Sequence, residues 1–151
     1  MKIILAIDGK KYSEAAADML ARLHLNAEDH LRIVNVVDMA VPLATDLYGG
    51  YLPEAPDFEK AAKDNAQQIV TAAKERVASF FGENCPEMAT DVLFGSPDSR
   101  IVETAEEEKA DLIIMGSHGY KRWERLLLGS VSDSVVRHAP CSVLIVRSSA
   151  S

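Results

Sequence analysis

Short runs of apolar, β-branched residues alternate along this chain with longer stretches of helical periodicity, and that alternation limits the folds open to it. The runs are apolar throughout rather than at every second residue, which is typical of parallel strands covered by helices on both faces. Five strands are predicted, at residues 2–7, 31–37, 89–94, 111–115 and 142–146.

Helical periodicity fills the intervals between these strands. Ser13 is a candidate N-cap for the first helix, Gly82 ends the second, and Pro97 suits the first turn of the third. The helices are predicted at residues 13–25, 57–81, from 97 onward, and 130–138.

The chain is therefore predicted to be one α/β domain, residues 1–151, with a five-stranded, mainly parallel sheet and helices on both faces. Residues 38–56 contain several prolines and glycines and are predicted to form a variable loop, serving as a lid, a partner surface or a mobile segment.

Composition excludes several classes of protein. With 48% hydrophobic residues the chain is not of the disordered class, and 151 residues suit a single domain. A net charge of −7 argues against general nucleic-acid binding. No apolar run approaches the ~20 residues that span a membrane, so no membrane association is expected. Cys85 and Cys141 show no motif spacing, which makes a reducing cytoplasm the expected compartment.

A glycine motif follows the fourth predicted strand. Gly116 and Gly119 are separated by two residues, and nine more lead to Gly129, where a helix is predicted to begin. Glycines let a ligand approach the backbone, and the free amides and dipole of a helix start attract anions. The hydroxyls of Ser130 and Ser132 could add donors. The motif therefore predicts a phosphate site, although its glycines could instead serve only tight turns.

The residues between the glycines leave further alternatives open. Lys121, Arg122 and Arg125 could neutralise phosphates or simply form a solvated loop. Ser117 and His118 suggest a hydrolase, but adjacent residues rarely face each other and no orienting acid is evident. No group of residues shows metal-ligand spacing.

The segments around the motif resemble the universal stress protein family. The resemblance covers nearly the whole chain, with residues 38–56 the least similar part. Glycines spaced by two and then nine residues and followed by serine or threonine are the signature of the family's ATP-binding branch. Lys10 and Lys11 depart from the family, which often has serine after the first Asp-Gly. The similar segments are residues 4–9 with Ser13, 95–97, 110–119, 126–132 and 135–146.

This resemblance implies a Rossmann-like, adenine nucleotide alpha-hydrolase-like fold and a ligand, ATP or another adenine nucleotide, with or without Mg²⁺. It also implies a homodimer joined through the last strand, at Val143, Leu144, Ile145 and Val146. Asp8 and Val36 would contact the adenosine. Met115, Gly116 and Gly119 would line the nucleotide, and Gly129, Ser130, Val131 and Ser132 would hold phosphates.

The function predicted from the resemblance is a regulatory or protective module of the stress response, at most a weak ATPase because no positioned base is identifiable. Two alternatives remain: a nucleotide hydrolase or nucleotidyl transferase on the same scaffold, and a dimeric interaction protein that binds no nucleotide. For Asp8, a contact to Mg²⁺ through water is an alternative to a ribose hydrogen bond or to a role in capping the loop.

Overall fold

The computed structural model describes residues 1–38, 55–117 and 128–147, which build a sheet of five parallel strands flanked by four helices. The strands are β1 (Lys2–Ala6), β2 (His30–Val37), β3 (Glu87–Phe94), β4 (Leu112–Gly116) and β5 (Ser142–Val146). The helices are α1 (Lys11–Leu20), α2 (Ala55–Phe81), α3 (Pro97–Glu108) and α4 (Ser130–His138).

The strand order in the sheet is β3-β2-β1-β4-β5, and every pairing is parallel. The chain first runs outward from β1 to β3, then crosses over to β4 on the other side of β1. Because ligands of open parallel sheets bind where the strand order reverses, the carboxyl ends of β1 and β4 are the place for a site. The predicted fold class is confirmed.

Two apolar clusters lie on opposite faces of the sheet. Ile3 and Leu5 of β1 pack with α1 and α2, whereas Ile4 and Ala6 pack with α3 and α4. Successive side chains of a strand point to opposite faces, so a strand buried on both faces has to be apolar at every position. Each buried Ile or Leu contributes about 1.5–3 kcal/mol of transfer free energy.

The first helix differs from its prediction at both ends. Its N-cap is Lys10, and Ser13 lies three residues further on, where its Oγ accepts a hydrogen bond from the Lys10 amide (3.1 Å). The helix ends at Leu20 because the next amides bond three residues back rather than four. Leu25, which the periodicity included in the helix, is still buried against α1 and α2.

Other predicted boundaries agree closely with the structure. Both α4 and β5 begin and end at the predicted residues, and Pro97 occupies the first turn of α3. Gly82 follows α2 with φ of +54°, a left-handed conformation that favours glycine.

The predicted loop at residues 38–56 lies largely outside the described residues. None of the helices in the described part of the chain combines the length and apolar character needed to cross a membrane.

Candidate functional site

The candidate site lies at the carboxyl ends of β1 and β4. These strands pair directly, with Ala6 opposite Met115, so Asp8 follows β1 on the same edge of the sheet on which Gly116 ends β4. The tip of α4 reaches this edge through the Gly129 amide, which donates to the carbonyl of Ser117 at 2.9 Å. The fold thus brings together residues that are more than 100 positions apart.

The loop after β1 is held by its own side chains. Asp8 Oδ1 accepts a hydrogen bond from the Lys10 amide (3.0 Å), and Lys10 Nζ lies 3.7 Å from Asp8 Oδ2. Asn35, which is 6% exposed, donates from Nδ2 to the carbonyl of Ile7 at 2.8 Å. Asp8 is therefore presented at the crevice by a braced turn, with about 40% of its side chain exposed.

The N-terminus of α4 supplies unsatisfied amides. Gly129 is the N-cap and has no side chain to cap the helix, and its carbonyl accepts the Asp133 amide at 2.8 Å. The amides of Ser130, Val131 and Ser132 precede the first intrahelical bond. Across residues 1–38, 55–117 and 128–147 no acceptor is found for these amides. They therefore form a potential anion site, which the helix dipole strengthens.

One expected phosphate donor has a different role. The Ser132 side chain is 2% exposed, and its Oγ donates toward the carbonyls of Ser117 (3.1 Å) and Gly129 (2.9 Å). Its hydroxyl proton is thus used inside the protein and is not directed at a ligand. The expectation that this hydroxyl adds a phosphate donor is corrected: it holds the helix tip in place. Ser130, by contrast, is exposed.

An apolar surface adjoins the helix tip. Val36 near the end of β2, Met115 of β4 and Val131 of α4 all belong to, or pack on, the cluster between the sheet and α3–α4. Val36 and Val131 are half-buried. Three residues predicted from different parts of the sequence therefore share one face of the sheet, next to the free amides.

Gly116 is required for a reason that the glycine motif did not reveal. A Cβ at this position would lie 2.8 Å from the backbone carbonyl carbon and oxygen of Tyr12 in the first turn of α1. The absence of a side chain allows α1 to approach β4 and brings the Asp8 loop close to the crevice.

A carboxylate joins the two helices of this face. Asp98, in the first turn of α3, accepts hydrogen bonds from Ser96 Oγ (2.5 Å) and from Ser134 Oγ of α4 (2.7 Å). The Ser96 hydroxyl, followed by the Ser134 hydroxyl and two backbone amides, lowers the pKa of Asp98 below its usual value. This carboxylate helps to fix the position of α4, whose tip forms the anion site.

Several predicted residues lie outside the described residues. They include Gly119 of the motif and His118, Lys121, Arg122 and Arg125 between the glycines. The sequence singled out Lys10 only as a departure from the family pattern, and it did not assign Tyr12 or Asn35 to the site. Of these last two residues, Asn35 carried a signal, as an amide inside a continuous apolar strand.

A separate cavity of about 370 Å³ lies at the opposite edge of the sheet, at the amino ends of β1, β2 and β3. Arg32 lines this cavity and forms ion pairs with Asp91 and Glu108, the second with 3.0 Å between Arg32 Nη2 and Glu108 Oε1. The ion pairs link β2, β3 and the end of α3. This arrangement stabilises the fold, and we assign no ligand to the cavity.

Metal ligands and cysteine thiols are the other groups that could carry chemistry in the described part of the chain. Its residues contain no cluster of three or more His, Cys, Asp or Glu side chains that could hold a metal ion. Cys85 and Cys141 are free and half-buried. Burial, and secondarily the charge of Asp111, raises the pKa of the Cys141 thiol, which disfavours the nucleophilic thiolate.

A family model described as the universal stress protein family matches residues 1–147. The chain belongs to the universal stress protein family. A Staphylococcus aureus (strain USA300) protein, itself named as a universal stress protein, is 37% identical to this chain over 146 residues. The match covers 96% of this chain and 82% of that protein.

Solved structures share the fold of this universal stress protein. The hypothetical protein MJ0577 superposes with a TM-score of 0.81 at 23% identity, over 99% of this chain and 97% of that one. A universal stress protein in complex with cAMP has a TM-score of 0.59 at 26% identity, covering 99% and 98% of the two chains. An Arabidopsis thaliana family member with AMP bound has the same TM-score at 14% identity, covering 99% and 93%.

Proposed function

We propose that this universal stress protein binds ATP at the crevice between β1 and β4 and acts as a nucleotide-dependent regulatory or protective module of the stress response. The observation that carries the proposal is the α4 tip, where the amides of Ser130, Val131 and Ser132 have no acceptor among residues 1–38, 55–117 and 128–147 and lie beside an apolar surface. Free amides suit phosphate oxygens, and an apolar surface suits a purine ring.

The interactions available are strong enough for a useful affinity. A hydrogen bond to a charged group contributes about 1.5–3 kcal/mol, so two or three amides on phosphate oxygens supply much of a micromolar binding free energy, which is roughly −8 kcal/mol. Contact of adenine with the half-buried side chain of Val36 would add apolar burial. The side chain of Ser130, exposed at the tip, could add one donor.

The choice of an adenine nucleotide is supported by relatives. One universal stress protein was solved in complex with cAMP, and another with AMP bound. The preference for ATP rests on the glycine spacing that resembles the family's ATP-binding branch. Gly119 and the basic residues near it would complete the phosphate site. ATP would bring Mg²⁺, which phosphate oxygens and water could hold.

Slow or absent hydrolysis is part of the proposal. Among the described residues that directly follow β1 and β4, Asp8 is the carboxylate that could activate water, but its Oδ1 accepts the Lys10 amide and its Oδ2 lies beside the Lys10 ammonium. In the bound form ribose hydroxyls would take the place of the ammonium, so the carboxylate would stay occupied and would be a poor general base for water. The ligand would then act by changing conformation or partner choice rather than by turnover.

The decisive experiment is a thermal unfolding series on nucleotide-free protein with ATP and Mg²⁺. A ligand that binds the folded state stabilises it by mass action and so raises the melting temperature. At a free ligand concentration of one hundred times Kd, the free energy of unfolding increases by about 2.7 kcal/mol. No shift at millimolar ATP would contradict the proposal. Mass spectrometry of the gently purified protein should also detect a co-purified adenine nucleotide.

Gly129→Val provides the site-specific test. Gly129 has φ −62° and ψ 154°, a conformation that valine adopts readily, so the substitution adds bulk at the helix tip without backbone strain. We expect the variant to unfold cooperatively but to lose the ATP-dependent shift. Retained binding would mean that the phosphates lie elsewhere. Phosphate release faster than a few turnovers per minute would favour the hydrolase alternative.

We also propose a cytoplasmic homodimer joined through β5. Among the described residues this strand pairs with β4 alone, and Val143, Leu144 and Ile145 are half-buried in the single chain. An unpaired strand edge usually needs cover, which pairing with Val143–Val146 of a second copy would give. The free cysteines are compatible with a reducing compartment. Native mass spectrometry should give twice the mass of one chain.

A further inference from the structure

The loop after β1 contains an ion pair between neighbours. Lys10 Nζ lies 3.7 Å from Asp8 Oδ2, and the Lys10 side chain is less exposed (26%) than that of Asp8 (40%). The Lys10 ammonium nitrogen is shielded from solvent. Its charge is therefore less screened than that of a surface lysine, and the carboxylate is the more open side of the pair.

This pair is connected to the proposed phosphate site by a short series of contacts. Lys10 caps α1, whose Tyr12 backbone packs directly on Gly116 at the end of β4. The next residue, Ser117, accepts the amide of Gly129 at the tip of α4. The Lys10 charge and the free amides of α4 thus lie on the same edge of the sheet, on either side of the β4 end.

We propose that Lys10 is a specificity-determining residue that makes the site selective for adenine compounds with a charged polyphosphate chain. The inference rests on the proposed nucleotide binding and specifies how this chain chooses among adenine ligands. When ATP binds, the ammonium exchanges its contact with Asp8 for a phosphate oxygen. The Asp8 carboxylate is then released to accept hydrogen bonds from ribose hydroxyls.

The selectivity follows from charge. Bringing a polyphosphate near Asp8 would be unfavourable without a cation to offset the carboxylate, whereas the Lys10 ammonium attracts phosphate more strongly as its charge increases. Adenosine offers no phosphate that the Lys10 ammonium could contact, and a monophosphate offers less charge than ATP. Lys10 therefore strengthens ATP binding and leaves adenosine binding unimproved.

The test compares Lys10→Met with Lys11→Met. Lys11 is the adjacent residue and is exposed, so the two variants have the same net charge and nearly the same place in the chain. Calorimetric affinities for ATP, AMP and adenosine would be measured for each variant and the parent at two salt concentrations. Lys10→Arg serves as a rescue, because it keeps the cation.

We expect Lys10→Met to weaken ATP binding about tenfold or more while adenosine affinity stays equal or rises. Lys11→Met should change ATP affinity less than about twofold, and Lys10→Arg should retain most of the ATP preference. As the salt concentration rises, the ratio of ATP affinity to adenosine affinity should also fall more steeply for the parent protein than for Lys10→Met.

The alternative outcomes separate the two proposals. If the parent binds ATP and adenosine but Lys10→Met keeps the same ATP-to-adenosine ratio, the role of Lys10 is overturned and nucleotide binding stands. If Lys11→Met lowers that ratio equally, the effect belongs to the general charge of the segment and the assignment to Lys10 is overturned. If the parent binds no adenine compound, both proposals fail.

Discussion

The buried hydroxyl of Ser132 donates toward the main-chain carbonyl of Ser117, 3.1 Å away, and so ties the first turn of α4 to the end of β4. The Gly129 amide bonds to the same carbonyl at 2.9 Å. Two donors from the helix tip therefore converge on one acceptor. This arrangement fixes the tip at the crevice while the next amides stay available for a ligand.

Replacing Ser132 with alanine should destabilise the protein moderately. Both carbonyls that the hydroxyl contacts also accept a backbone amide, so no buried acceptor is left unsatisfied and the loss should be about 0.5–1.5 kcal/mol. Urea unfolding would measure it. Ser130→Ala is the matched control, since Ser130 is exposed and should change stability by less than about 0.5 kcal/mol. Equal losses in both variants would argue against the tethering role.

Replacing Gly116 with alanine should affect both stability and ligand binding. The new methyl group would lie 2.8 Å from the Tyr12 backbone, which has to move, at a cost of about 1–3 kcal/mol. The displaced α1 would also shift the Asp8 loop and weaken ATP binding. Gly82→Ala is the control: nothing lies within 4 Å of its Cβ, and only its φ of +54° is costly. That control should lose stability but keep ATP affinity, and a parallel loss of affinity would contradict the prediction.

Substitution of Asn35 should show how the Asp8 loop is braced. Asn35→Ala removes the donor to the Ile7 carbonyl and should cost about 1–3 kcal/mol. Asn35→Asp should cost more at pH 7 than at pH 4, because burial beside a carbonyl would disfavour the charged carboxylate. Denaturant unfolding of both variants at the two pH values measures the difference. An Asn35→Asp variant whose loss does not grow with pH would show that this position is open to water.

Asp98 should contribute to the acid sensitivity of the fold. Hydrogen bonds from Ser96 and Ser134 lower its folded pKa, so its stabilisation is present above its unfolded pKa and is lost as pH falls through the folded value. The stability difference between the parent and Asp98→Asn should therefore be constant above about pH 5 and shrink toward lower pH. Chemical unfolding at several pH values checks this. A difference that stays unchanged down to pH 2 would contradict it.

The sequence predicts the ends of a helix correctly where the capping residues and the apolar spacing indicate the same boundaries. Gly129 before α4 and Pro140 after it mark a helix whose bounds were predicted correctly. The prediction was wrong at α1, where Leu23 and Leu25 continue the apolar pattern although the helix has ended at Leu20. The spacing of apolar residues indicates which side chains are buried, not whether the backbone is helical. A tight turn that packs on the core therefore produces the same apolar spacing as a further helical turn.

The candidate site was predictable in part. The glycine spacing and the strand ends identified Asp8, Gly116 and the α4 tip before their proximity was known. The inward bond of the Ser132 hydroxyl and the approach of Tyr12 to Gly116 could not be predicted, because both join segments far apart in the chain. The role of Gly119 stays a prediction.

The sequence by itself determined that this chain is a parallel α/β domain of the universal stress protein family, because apolar runs, helix caps and glycine spacing are local properties. Only the tertiary structure decided which amides have no acceptor among the described residues, which hydroxyl turns inward and which ammonium lies against Asp8. These outcomes depend on distances between segments, and those distances are set by the packing of helices on the sheet.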